Sequence, residues 1–312
     1  MTTNKWITYQ KERFPLVPYC GMALMFSFSG LCLSSMMRGH ATLPDWRQIV
    51  VAFITSLLLF AQLRIADEFK DYKDDCKYQP YRPVPRGLIS LKELGIIGLC
   101  AGVIQLTLTM ALSIKLLPLL IATWIYLGLM SAEFFVRDRL RQSPLAYLLT
   151  HMPILLLLDT YITGCDWILA GSGMPPHLVL FLGVSFLNGM IVELGRKFRA
   201  PLDEEEGVET YTKVWGINRA TAAWLAVMTL AAVASTSVSI VTARGLGACL
   251  FNCIATATML ALSTSMAIQF CKRPTTNTAK RLQALSSVWV MTTYLSLGTL
   301  PAIARSISTC MH

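Results

Sequence analysis

The sequence predicts an all-α, polytopic membrane protein with nine transmembrane helices, and three observations lead there. Hydrophobic residues make up 54% of the 312-residue chain and charged residues only 14%, against about 25% charged in a soluble domain. The apolar residues gather into runs long enough to cross a bilayer, which takes about 20 residues of helix. Lysine and arginine alternate between rich and poor segments from one run to the next, as expected of a chain that crosses repeatedly.

The first run, 15–37, holds Cys20 and Cys32. It is long and lacks a small-residue cleavage site after a short core, so it reads as a span and not as a signal peptide. The second, 46–66, runs into an acidic–basic stretch, and 93–114 (with Cys100) and 117–135 follow. The fifth, 145–164, carries His151 and a solitary Asp159 inside a leucine run, and the sixth, 178–195, ends beside Glu193. The runs 221–242, 246–270 (with Cys249 and Cys253) and 284–304 complete the set. No run is left for a soluble domain, so residues 1–312 are expected to form one membrane domain.

Side-chain chemistry excludes several classes. The cysteines in the runs read as small buried hydrophobes; no pair among the nine has zinc-ligand spacing, and Cys76 stands in a polar loop. The four histidines are unclustered, which argues against haem or a metal relay, and His151 reads as a packed polar residue. Gly-rich phosphate loops are absent. Asp159 has two readings: an intramembrane carboxylate with a functional role, or a helix-end carboxylate near the outer interface beside Asp166.

With the N-terminus in the cytoplasm, 22 of the 27 basic residues fall in cytoplasmic segments, and only Arg38, Arg47, Lys115, Arg244 and Arg305 fall on the other side. This split supports an odd number of spans. It also accounts for the net charge of +9 without a nucleic-acid partner; the bilayer and its anionic headgroups are partner enough.

The carboxylates are concentrated as well. Of 18 in the chain, 11 lie in two stretches, five in 67–75 and six in 193–209, both assigned to the cytoplasmic side within loops at 67–91 and 193–219. Asp67, Asp71 and Asp75 are four apart; at about 100° per residue they share one helix face. Such a row at a bilayer surface calls for a cation, and Mg²⁺ suits it, because it bridges hard oxygen ligands to substrate phosphates. The competing reading is a solvated acidic helix end. The second stretch interleaves Arg196, Lys197 and Arg199 with Glu193, Asp203 and the run Glu204-Glu205-Glu206, which suits a metal-bridged polyanion or internal pairs such as Arg199 with Asp203 at i,i+4.

With these motifs the chain resembles the UbiA superfamily of intramembrane prenyltransferases. Their Asn/Asp-Asp-x-x-Asp-x-x-x-Asp motif after the second helix is matched in register by Asp67-Glu68-Phe69-Lys70-Asp71-Tyr72-Lys73-Asp74-Asp75, with Glu68 in the place of the first Asp, and their basic turn by Arg82-Pro83-Val84-Pro85-Arg86-Gly87. Their second motif, Asp-x-x-x-Asp-x-x-x-Gly-x-x-Thr with a later Gly, is matched by Asp203, Gly207, Thr210 and Gly216, while Arg199 replaces its first Asp. The resemblance implies nine helices around a central cavity, with the diphosphate of an isoprenoid donor at the cytoplasmic rim and its tail in the apolar interior. It implies Mg²⁺ ligation by Asp67, Glu68, Asp71 and Asp75 on one side and by Asp203 with neighbouring acids on the other, of which Asp67, Asp71, Asp75 and Asp203 are the catalytic set. Glu193 is the next candidate ligand, as a charge at the end of the sixth span, or it pairs with Lys197 at i,i+4. Lys73, Arg82, Arg196, Lys197 and Arg199 become diphosphate contacts. Trp124, Tyr126, Tyr147, Tyr161 and Trp289 become candidates for lining the tail or cation site.

Three functions follow. The first is Mg²⁺-dependent transfer of a prenyl group to a small acceptor, such as an aromatic ring or quinone precursor. The second is a terpene cyclase, in which the donor's own double bonds trap the cation; the Arg199 replacement and the acidic run favour a departure of this kind. The third is a permease, disfavoured because transporter cation sites lie near the midplane and these clusters lie at one rim.

Overall fold

The computed structural model describes residues 4–40, 42–242 and 246–310, and every regular element among them is helical. Arg244, one of the basic residues assigned to the far side, lies outside the described residues. In chain order the helices are α1 (Lys5–Arg13), α2 (Leu16–Met37), α3 (Trp46–Lys70), α4 (Tyr72–Tyr78), α5 (Leu91–Leu112), α6 (Leu117–Ser131), α7 (Arg137–Gln142) and α8 (Pro144–His151). They continue with α9 (Pro153–Trp167), α10 (Leu178–Arg196), α11 (Tyr211–Trp215), α12 (Ile217–Thr242), α13 (Leu246–Lys272), α14 (Thr276–Tyr294) and α15 (Leu300–Cys310). Nine of the described segments are long and apolar enough to cross a membrane. Each coincides with one of the nine runs, α8 with α9 forming the fifth and α14 with α15 the ninth.

The ends differ from the sequence reading for local reasons. The second span continues to Lys70, because its last turn is held by ion pairs of Arg64 with Glu68 and of Lys70 with Asp67. The fourth stops at Ser131 and not near 135, because Glu133, Phe134 and Phe135 all have positive φ (48°, 52° and 60°). Each such residue costs about 1–2 kcal/mol, and packing holds the turn: Phe134 sits against Tyr126 and His151, with ring centroids 5.6 and 5.9 Å away. Pro153 divides the fifth span, since it lacks the N–H that would continue the ladder. The Ser90 hydroxyl accepts from Glu93 N while the Glu93 carboxylate accepts from Ser90 N, a capping box that starts α5.

The helix α2 runs through the middle, against α3, α9, α14 and the π turn Leu295–Thr299. A Cβ on Gly298 would lie 2.2 Å from the Ser29 carbonyl oxygen, so only glycine allows this approach. Aromatic rings fill the interior: Phe26 stacks on Tyr294 at 4.2 Å and meets Phe60 edge-on at 5.9 Å, while Phe181 stands edge-on to Tyr294 at 5.5 Å. Asp159 is buried here and accepts from the Tyr294 hydroxyl at 2.5 Å. It is thus an interhelical tie and not a partner of Asp166, which pairs with Arg38 at 2.6 Å. Cys32 is buried as expected, whereas Cys100 lies on the outer face of α5.

One end of the bundle collects the polar segments. There Arg86 pairs with Glu12, Arg137 with Asp74, Gln79 donates to Glu205, and Thr276 donates to Asp203. The N-terminal helix, both acidic stretches, the 132–143 segment and the start of α14 therefore share a face, which is where the functional site forms.

Candidate active site

A cavity of about 430 Å³ opens at this end. Its first wall is the face anticipated from the spacing: Asp67, Asp71 and Asp75 all line it. The chain changes from α3 to α4 at Asp71, yet the i→i−4 bonds run straight through, from Asp71 N to Asp67 O at 2.9 Å and from Asp75 N to Asp71 O at 2.8 Å. The register of the three carboxylates survives for that reason. Glu68 follows Asp67 by one residue and so points about 100° away. It is 1% exposed and takes Arg13 at 2.6 Å and Arg64 at 3.3 Å. It does not join the other acids in the cavity. Lys73 is likewise outside, exposed on the far face of α4.

The basic turn after α4 folds Arg82 back onto Asp75, with both carboxylate oxygens 2.7 Å from Nη1. Bonds from Gly87 N to Val84 O and from Leu88 N to Pro83 O close the turn, and Gly87 supplies the positive φ of 76° that it needs. Two cations on α3 complete the wall. Arg64 and Lys70 stand three residues either side of Asp67, on its helix face, and both line the cavity. That spacing was a readable signal which the topology count absorbed. Burial raises the Asp71 carboxyl above the usual carboxylate range; Lys70 opposes this, and Asp67, Asp75 and Glu133 add to it.

The second wall is basic. Arg196, Lys197 and Arg199 line the cavity. Glu193, which was expected to ligate metal, is 4% exposed and is taken up by Arg196 and by Lys197, whose Nζ lies 3.0 Å away. Asp203 faces α14, accepting from Thr276 at 2.9 Å, and it is not part of the cavity lining. Glu204 accepts from Thr210 and Thr212, and Glu205 from Gln79 and Tyr81. The acids of this stretch thus brace the loop. Gly207, at φ 73°, passes against Tyr78, where a Cβ would lie 2.4 Å from the ring. Arg199 donates to the carbonyls of Arg196 and Phe198 at 3.0 and 2.9 Å, and no ion pair joins it to Asp203 among the described residues.

Two further groups come from elements that carried no motif. Glu133, presented by the left-handed turn, lines the cavity and pairs with Arg137 at 3.0 Å; Arg141 lines it and pairs with Asp74. No sequence pattern marks either one, because the turn exists only through its packing. Of the five aromatics singled out, Tyr147 alone lines the cavity. It receives a hydrogen bond from Lys70 at 3.0 Å, and Lys197 lies over its ring at 4.7 Å. The other four tie helices together: Trp124 to Gln105, Tyr126 to the Thr150 carbonyl, Tyr161 with Thr109 and Trp289 to Asn188.

The donor set fits a divalent cation on the first wall, where hard oxygens line the cavity. Among the described residues no group of three acids, histidines or cysteines is arranged to hold a metal ion by itself; Mg²⁺ is commonly held by one or two carboxylates together with substrate phosphates and water. The second wall does not fit a cation, since it lines the cavity with Arg196, Lys197 and Arg199 against a single carboxylate, the exposed Glu209.

The sequence matches the model of the UbiA prenyltransferase family over residues 24–291. No protein of curated function matches it. Among solved structures, the chain resembles digeranylgeranylglyceryl phosphate synthase at 16% identity, with 97% of this chain and 100% of the other covered and a TM-score of 0.61. A UbiA homologue from Aeropyrum pernix K1 aligns with 14% identity, coverage of 88% and 96%, and a TM-score of 0.64. One from Archaeoglobus fulgidus, bound to DMAPP and Mg²⁺, aligns with 12% identity, coverage of 93% and 98%, and a TM-score of 0.58.

Proposed function

Since the chain belongs to the UbiA prenyltransferase family, we propose that this multi-pass membrane prenyltransferase binds an isoprenoid diphosphate in the rim cavity, ionises it and transfers the prenyl group to a small acceptor. The observation that carries the reading is one cavity with three helix-phased carboxylates on one wall and three cations on the other. The Archaeoglobus fulgidus homologue bound to DMAPP and Mg²⁺ supports the donor class and the metal. Mg²⁺ held by Asp67, Asp71 and Asp75 would neutralise charge building on the departing diphosphate.

The chain's own groups do the rest. Arg82, oriented by Asp75, and Lys70, oriented by Asp67, present cations along the acidic wall. They act on charge that grows as the carbon–oxygen bond breaks, where preorganised groups are most effective. Tyr147 borders the cavity, and its ring, stacked on His151, holds the Lys197 ammonium 4.7 Å away at the rim. The charge asymmetry supports a cytoplasmic location for this face, with the N-terminus beside it.

The test is incubation of membranes holding the protein with a panel of prenyl diphosphates. Turnover that waits for an aromatic or quinone-type acceptor supports transfer. Diphosphate release with a cyclic hydrocarbon, and no acceptor added, would establish the cyclase reading instead. No turnover with any donor, together with metal flux, would overturn both.

A further inference from the structure

The two walls of the cavity are not equivalent. On the α3–α4 side, carboxylates face inward. On the side formed by 193–209, four of the six carboxylates are bound elsewhere: Glu193 by Arg196 and Lys197, Asp203 by Thr276, Glu204 by two threonines and Glu205 by Gln79 and Tyr81. Glu206 and Glu209 are exposed, and Glu209 is the one carboxylate of this stretch that lines the cavity.

The cations of this wall are built in. Arg199 N donates to Thr212 Oγ1 at 3.1 Å, and Thr212 donates in turn to Glu204 at 2.9 Å, so the main chain at Arg199 is pinned. Its guanidinium meets main-chain carbonyls and no carboxylate among the described residues. Five N–H donors leave it free capacity toward an anion. Lys197 is held between Glu193 and the rings of Tyr147 and Tyr211, 4.7 and 5.4 Å from its Nζ. With Glu193 offset against one of them, the three cations leave a net positive wall.

We infer that this enzyme clamps the diphosphate asymmetrically, through a cation on the Asp67–Asp71–Asp75 wall and through Arg196, Lys197 and Arg199 directly on the other, with no second metal site. The inference rests on the proposed function and specifies how its donor's head group is held. Fixed guanidinium and ammonium groups bind phosphate oxygens through charge-assisted hydrogen bonds, so half of the clamp works without metal.

Inorganic diphosphate is the probe, titrated calorimetrically into the purified full-length protein in nanodiscs. In EDTA the wild type is expected to bind it, and added Mg²⁺ to tighten it. Arg199→Gln with Lys197→Gln should weaken binding in EDTA at least about tenfold, the scale of one charged hydrogen-bonding partner. Arg199→Lys, which keeps the charge, should stay within about threefold. Asp71→Asn should leave binding in EDTA intact. With Mn²⁺ as spin probe, Asp71→Asn should reduce the ions bound per diphosphate and Asp203→Asn should not. Absence of wild-type binding in EDTA, a loss in Arg199→Lys as large as in the Arg199→Gln, Lys197→Gln double variant, or fewer Mn²⁺ ions in Asp203→Asn would each overturn the inference. Failure of the functional reading looks different: inorganic diphosphate still binds in EDTA, but no prenyl diphosphate is turned over.

Discussion

Arg13 Nε lies 2.6 Å from Glu68 Oε1, and the carboxylate is 1% exposed. This pair joins the N-terminal helix to the start of the acidic motif, and it removes from the acidic wall of the cavity a carboxylate that sequence register alone would put there. Arg64 shares the same carboxylate at 3.3 Å, so Glu68 orients a cavity cation from behind.

Glu68→Gln should therefore act on stability first. It takes from Arg13 and Arg64 their closest negative partner, leaving only Asp75 at 4.0 Å and Asp67 at 3.9 Å, and breaking a buried pair costs about 3–5 kcal/mol. Thermal unfolding in detergent should drop by several degrees, while the Mg²⁺ concentration for half-maximal activity stays within about threefold. A large change in that concentration with an unchanged Tm would make Glu68 a ligand after all.

The acids that line the cavity should behave differently. Asp71→Ala and Asp75→Ala are each expected to lower turnover by at least about a hundredfold, the scale of losing one electrostatic stabiliser. EDTA should abolish turnover and Mg²⁺ restore it. Asp203→Asn, which removes only an exposed contact to Thr276, should stay within about threefold. Steady-state kinetics in Mg²⁺-buffered membranes checks all three, and full activity of both alanine variants would refute the site.

Gly207→Ala tests the loop over Tyr78. The added Cβ meets the ring at 2.4 Å and the backbone stays at φ 73°, a conformation worth about 1–2 kcal/mol against any side chain. Because Tyr78 lines the cavity, the donor KM should rise along with a lower Tm. A normal KM with a lower Tm would separate this loop from the site.

Orientation can be read by labelling. Single cysteines in place of Lys92 and Lys213, both exposed at the active-site end, should react with an impermeant maleimide only after the membrane is opened. The nine native cysteines, the exposed Cys76 among them, are first changed to serine. Labelling of either position in intact cells would invert the proposed topology.

What the sequence determined by itself was local. Nine spans were legible because hydropathy acts segment by segment, and the face shared by Asp67, Asp71 and Asp75 was legible because hydrogen-bonded helix phase carries through eight residues, even across the change from α3 to α4. The tertiary structure decided which charges meet. Asp203 and Glu68 were candidates by register and Glu193 by its place at the end of the sixth span, yet a carboxylate goes to whichever cation or hydroxyl the fold brings nearest: Thr276, Arg13 and Lys197. Tyr147 was one aromatic among five until helix packing put it beneath the cavity between Lys70 and Lys197. Glu133 had no signal at all, because its left-handed turn is strained in isolation and exists only where Tyr126 and His151 pack against Phe134.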